Sequence, residues 1–109
     1  MKTKVLILMA AVLLVGMSTF ASGKKEKLNV AGKCGMCETR IEKTASGIDG
    51  VSKVDYDLKA NKLTVTYDEK KTTTDAIEKA LAGVGHDTDK YKADDAVYNK
   101  LPGCCHYRK

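Results

Sequence analysis

Cys34 and Cys37 stand three positions apart, after a short extended stretch and at the start of an apolar-periodic one. At a loop-to-helix junction such a pair can turn both sulfurs toward one point. The free N–H groups of the first helical turn and the helix dipole there favour thiolate over thiol, and Lys33 adds a positive charge beside them. Thiolates are soft donors suited to Cu(I), Hg(II), Cd(II) and Zn(II), whereas Mg or Ca demands oxygen. Two sulfurs leave zinc short of its tetrahedral preference but suit an ion content with low coordination, which leaves room for a thiol from another protein. The same spacing also fits a redox dithiol, with Cys34 attacking and Cys37 resolving, or a structural disulfide.

Cys104, Cys105 and His106 offer three more soft or borderline donors near the C-terminus. Neighbours in sequence point in different directions in most backbone conformations, so joint chelation is not automatic. A tail folded over the first pair would create a three- or four-sulfur site suited to Zn(II) or a copper cluster. The alternatives are a resting disulfide, or buried cysteines acting as small hydrophobes. No Ser/His/Asp arrangement, phosphate-cradling loop or carboxylate pair accompanies these residues, and two histidines are too few for a histidine-rich metal centre. The expectation is a binding protein, not an enzyme.

The elements that must position these residues are visible in the apolar periodicity. Leu28 and Val30 mark one face of a strand over 25–30, broken by Ala31-Gly32-Lys33. Met36, Cys37, Ile41, Ala45 and Ile48 make a helical stripe that Gly47 and Gly50 bracket. Val54, Tyr56 and Leu58 alternate with polar residues, as do Leu63, Val65 and Tyr67 after Ala60-Asn61, which predicts a hairpin with one buried face. Thr72 to Asp75 caps a second helix with the stripe Ala76, Ile77, Ala80, Leu81 and Val84. A short extended piece from His86 to Tyr91 completes βαββαβ order. The fold class is therefore α+β, a ferredoxin-like sandwich of a four-stranded antiparallel sheet with two helices on one face. Beyond it, Asp94 to Leu101 predicts two helical turns stopped by Pro102-Gly103. Val97, Tyr98, Leu101 and Tyr107 give that tail reason to pack on the domain, while Tyr107 to Lys109 reads as a solvated end. A thioredoxin-like fold needs more chain and a proline opposite the dithiol; the only proline is Pro102.

A chain of 109 residues has room for one core. Lys2 and Lys4 precede an apolar run from Val5 to Val15 and the small residues around Ala21, the plan of a cleavable secretory signal. The run is shorter than the ~20 residues of a spanning helix, so no stable membrane insertion is expected after cleavage. The expected organisation is a signal peptide over 1–21, a domain over 22–92 and a tail over 93–109, located in the periplasm or at the cell exterior. Losing Lys2 and Lys4 lowers the formal net charge from +5 to +3. With scattered lysines, no Trp and one Phe, no nucleic-acid surface is visible.

The run Val30-Ala31-Gly32-Lys33-Cys34-Gly35-Met36-Cys37, then Arg40-Ile41-Glu42, within this order of elements resembles the heavy-metal-associated domain over residues 25–92. That family includes copper chaperones, N-terminal modules of copper-transporting ATPases and exported mercury-binding proteins. The resemblance implies that Cys34 and Cys37 ligate a soft ion, Cu(I) first, with Hg(II) or Zn(II) behind it. It also implies transfer to a metal-transporting membrane protein or another metal-binding domain, or periplasmic scavenging of Hg(II). Members commonly carry Gly-Met before the first cysteine, with the Met packed beneath the loop; here Lys33 precedes Cys34 and Met36 lies between the cysteines, so a different loop shape is expected. A family position close to the metal loop, after the glycine that ends the second helix, corresponds to His86. It is either a third ligand or pH-dependent charge, or a surface histidine at a strand start.

Overall fold

The structure is a computed structural model that describes residues 23–108. The segment 1–21, expected to be a signal peptide, lies outside the described residues.

β1 (Gly23–Asn29), α1 (Gly35–Ser46), β2 (Val51–Asp57), β3 (Lys62–Asp68) and α2 (Thr74–Gly83) follow the expected order, then α3 (Asp95–Asn99) and a 3-10 turn (Gly103–Cys105). The sheet runs β1-β3-β2 with both pairings antiparallel, and Leu63 stands opposite Leu28 on one side and Tyr56 on the other. One-residue alternation along β3 sends Leu63, Val65 and Tyr67 into the core. Asn61 adopts φ 55° in the β2–β3 turn, which an asparagine tolerates better than most residues. Asp57 Oδ1 closes that turn by accepting from the backbone N–H groups of Lys59 and Ala60.

Both helices lie on one face of this sheet. α1 buries Cys37, Ile41 and Ala45, a strict every-fourth-residue row. Met36, one residue and about 100° away around the helix, falls off that row and is 52% exposed, which corrects its placement on the apolar stripe. α2 buries Ile77, Glu78, Leu81 and Ala82 and leaves Ala76 exposed, so its inward face is rotated from the expected one. Thr73 caps α2 by accepting from the Ala76 N–H. Glu78 turns away from the cap and accepts from the Lys90 backbone N–H.

The fourth strand is reduced to one antiparallel bridge, Val30 with Thr88. The chain bends immediately afterwards, because the Thr88 and Tyr91 backbones pair with each other and the Thr88 hydroxyl accepts from the Tyr91 N–H. Four polar residues, Asp87 to Lys90, give this stretch little apolar surface to hold it in a longer ladder. The tail packs back as expected, burying Ala93, Tyr98, Leu101 and Cys105. Gly85, at φ +107°, lets Leu101 in: an added Cβ would sit 2.9 Å from its Cδ2. Among the described residues no helix is long and apolar enough to cross a membrane.

Candidate metal centre

The loop between β1 and α1 is fastened to the core by side chains from three other elements. Tyr56, inward-facing on β2, donates its hydroxyl to the Val30 carbonyl at 2.6 Å. Asn61 Nδ2 donates to the Gly32 carbonyl at 2.9 Å and to the Tyr56 hydroxyl at 2.9 Å. The Ala31 N–H donates to the Asp87 carbonyl, and the Ala31 carbonyl accepts from His86 Nδ1 at 2.9 Å. Gly32 is needed for this closeness, since a Cβ there would lie 2.8 Å from the Tyr56 hydroxyl and 3.3 Å from the Cys37 Cβ. Tyr56 and Asn61 were not singled out by sequence reasoning as site residues; their positions on a strand face and in a turn were legible, their reach to the loop was not.

Cys34 occupies the N-cap of α1 and Cys37 its first turn. Their sulfurs lie 3.6 Å apart, with Cys34 half-buried and Cys37 buried. The tail brings the other two thiols to the same place. Cys104 Sγ is 3.2 Å and Cys105 Sγ 3.3 Å from Cys34 Sγ, across about seventy residues of sequence. Cys34, Cys104 and Cys105 form a group of three possible ligands whose sulfurs all lie within 4.8 Å of one another. Around them, Met36 Sδ is 3.6 Å from Cys104 Sγ and Arg40 Nη1 is 3.7 Å from Cys105 Sγ.

These contacts divide the thiols electrically. The hydrogen bond between the Cys34 and Cys104 sulfurs, against the cost of desolvation and with help from the Cys37 amide and from Cys105 and Cys37 Sγ, draws Cys34 down to about 6. These contacts favour the thiolate form of Cys34. Cys104 is pushed up, chiefly because its proton is engaged by Cys34. Cys105 is pushed up by burial and then by its thiol neighbours. Cys34 is thus shifted toward thiolate and Cys104 and Cys105 toward thiol, in a set of sulfur donors that matches the soft ions named above.

The two histidines stand apart from this group. His86 is fully buried, which corrects its reading as a surface residue; burial lowers its pKa and keeps it neutral. Its Nδ1–H holds Ala31, its Nε2 is buried without a partner among the described residues, and its ring stacks on Tyr107 with centroids 5.9 Å apart. His106 Nε2 donates to the Leu101 carbonyl, and the ring stacks on Tyr98.

Tyr107 and Arg108, expected to be solvated, are instead the anchor of the tail; Lys109 lies outside the described residues. Arg108 makes ion pairs with Asp87 at 2.8 Å and Asp95 at 3.0 Å, donates to the Ala93 carbonyl at 2.7 Å and lies 4.2 Å over the Tyr98 ring. Tyr107 donates its hydroxyl to the Gly85 carbonyl and accepts from the Asp87 N–H. Burial would raise the Asp87 carboxyl, but the hydrogen bonds from Arg108 and the Ala93 N–H hold it below its ordinary value. No periodicity or motif in the sequence marks Arg108 for this role.

The profile of the heavy-metal-associated domain matches residues 28–87. The copper chaperone CopZ of Staphylococcus aureus is 34% identical over 64 residues, which span 58% of this chain and 94% of that protein. The solved structure of a CopZ metallochaperone superposes with a TM-score of 0.58 at 33% identity, covering 60% of this chain and 98% of that one. The water-soluble region of the P-type ATPase CopA from Bacillus subtilis gives 0.57 at 30% identity, over 61% of this chain and 44% of that one. With the matched region carrying both the α1 dithiol and the sheet that fastens its loop, the chain belongs to the heavy-metal-associated domain family.

Proposed function

We propose that this chain takes up a soft metal ion, Cu(I) in the first place, at Cys34 and Cys37 and passes it on by ligand exchange in the bacterial cell envelope. The observation that carries this reading is the pair of sulfurs 3.6 Å apart at the N-terminus of α1. Two cysteine sulfurs so placed can bind a low-coordinate ion and leave a position for a sulfur from the receiving protein. The likeness to a copper chaperone and to the soluble region of a P-type ATPase supports a metal-transporting membrane protein, or a domain like this one, as the receiver. The N-terminal apolar segment supports export, to be checked by fractionation and by the N-terminal sequence of the processed protein. An exported scavenger of Hg(II) would use the same two sulfurs.

The test is anaerobic titration of the reduced protein with Cu(I) against a competing chelator, with Hg(II) and Zn(II) in parallel. Tight Cu(I) binding that Cys34→Ser and Cys37→Ser each reduce by about 100-fold or more, the equivalent of roughly 2.7 kcal/mol, supports the proposal. No competition for any of the three ions overturns it.

A second reading, thiol–disulfide exchange, draws support from Cys34, shifted toward thiolate, with three other cysteine sulfurs as close neighbours. Rapid turnover in an insulin-reduction assay would put it first.

A further inference from the structure

We infer that Cys104 and Cys105 ligate the same ion as Cys34 and Cys37, so that the tail converts an open two-sulfur site into a closed one of at least three sulfurs. The inference rests on the soft-metal reading of Cys34 and Cys37 and adds to it a coordination number and a function for the C-terminal segment, which lies beyond the matched residues 28–87.

Distances carry it. Sulfurs arranged about one ion at ~2.3 Å stand roughly 3.8–4.0 Å from each other in tetrahedral or trigonal geometry. Here Cys34 Sγ has neighbours at 3.2, 3.3 and 3.6 Å from three separate residues. An outward adjustment of about half an ångström would admit an ion among Cys34, Cys104 and Cys105, whose sulfurs all lie within 4.8 Å of one another, while Cys37, outside that mutual group, would have to close in on the tail sulfurs to complete a four-sulfur shell. The sulfurs reach this point from different directions: Cys34 and Cys37 from the N-terminal turn of α1, Cys104 and Cys105 from a 3-10 turn laid across it. The tight turn overcomes the usual divergence of adjacent side chains, since both tail sulfurs approach Cys34 while Cys105 is buried and Cys104 exposed. Each thiol that ligates releases its proton to solvent, and the negative charge that gathers on the sulfurs is met by Arg40 beside Cys105.

The anchor makes the tail a ligand in place before the ion arrives. Tyr107 and Arg108, two and three positions beyond Cys105, are tied to Gly85, Asp87 and Ala93, so little chain entropy is lost when the tail sulfurs bind. A receiving protein must then displace the tail sulfurs as well as compete for Cys34. The structure thus fits a carrier that retains its ion until a partner's thiols enter.

Sulfur coordination should be counted by X-ray absorption at the metal, with the full chain reduced and loaded with one equivalent of Cu(I). Three or four sulfurs are expected. Cys104→Ser/Cys105→Ala should bring the count to two and weaken competition against a chelator about tenfold or more. Cys104→Ser alone, at an exposed position that the fold tolerates, should weaken it in the same direction. Two sulfurs in the unaltered chain, with tail variants binding within about twofold of it, would overturn the inference while leaving the Cys34–Cys37 reading intact. Failure of the unaltered chain to bind Cu(I) or Hg(II) would overturn both.

Discussion

Each of the two cysteine pairs is delivered by its own kind of support. The loop carrying Cys34 and Cys37 is held from beneath by the core: Tyr56, Asn61 and His86 reach it from the sheet and from the chain after α2, and Gly32 lets it lie close. The tail carrying Cys104 and Cys105 is held from its far end by charge and aromatic contact, through Arg108, Asp87, Tyr98 and Tyr107. The first support shares its stability with the whole domain, because removing it means disturbing residues on which the sheet and helices also depend. The second shares that core only through buried Tyr98, Leu101 and Cys105, and its charged anchor at Arg108 can be removed by itself. A site built half on each has one fixed wall and one detachable wall.

The largest expected effect lies in the shared core. Ile41→Ala, beneath the loop and fully buried, should cost about 3 kcal/mol in urea unfolding, and both walls should fail together. Gly32→Ala is a narrower blow to the fixed wall. Its Cβ would force the Tyr56 hydroxyl away from Val30, with an expected loss of about 1–3 kcal/mol and weaker metal binding in the chelator competition. Arg108→Met should loosen the other wall while lowering the urea midpoint less than either core variant does, since Tyr98, Leu101 and Cys105 stay in the core. Its readout is amide hydrogen exchange, which should speed up about tenfold or more in residues 93–108 and much less in 25–87.

Acid should distinguish the walls by where each begins to weaken. His86 is held neutral with a pKa below its ordinary value, so the unfolded chain takes up a proton first. Stability from the fixed wall is complete above about pH 6.5 and declines as pH falls below that value. Asp87 is also depressed, but from the carboxylate range: its support of the tail is complete above about pH 3.9 and is lost as pH falls through its native value. Urea midpoints should therefore drop as pH falls below about 6.5 in the native chain and less in His86→Asn, while tail exchange rates rise only in stronger acid. This is the smallest effect of the series.

The fixed wall was largely legible in the sequence and the detachable one was not. Strand alternation through Tyr56 and Leu63, the every-fourth-residue row of Cys37, Ile41 and Ala45, and capping near Thr73 are local patterns, and they place Cys34 and Cys37 at a helix start. Met36 was misplaced because it neighbours a core residue while lying off its row. The expected fourth strand shrank to the Thr88 bridge because Asp87 is drawn to Arg108 and the Ala93 N–H, partners that no local pattern announces. Folding of the tail over the first pair was foreseeable only as one option among several, since the approach of Cys104 to Cys34 depends on a turn seventy residues away.

That single bridge leaves β1 with an open flank. Among the described residues Gly23–Asn29 pairs with β3 on one side, and on the other the chain after α2 reaches only its C-terminal end, through the Asn29 side chain, the Val30 bridge and the Ala31 N–H. Unpaired backbone along a strand is a template for another copy of the same strand. Lys24, Lys25 and Lys27 lie along it, exposed, and two such edges brought together would set like charges against each other. Solubility at high concentration should thus depend on these three lysines more than on the net charge of the protein, and neutralising them would invite two copies to pair edge to edge.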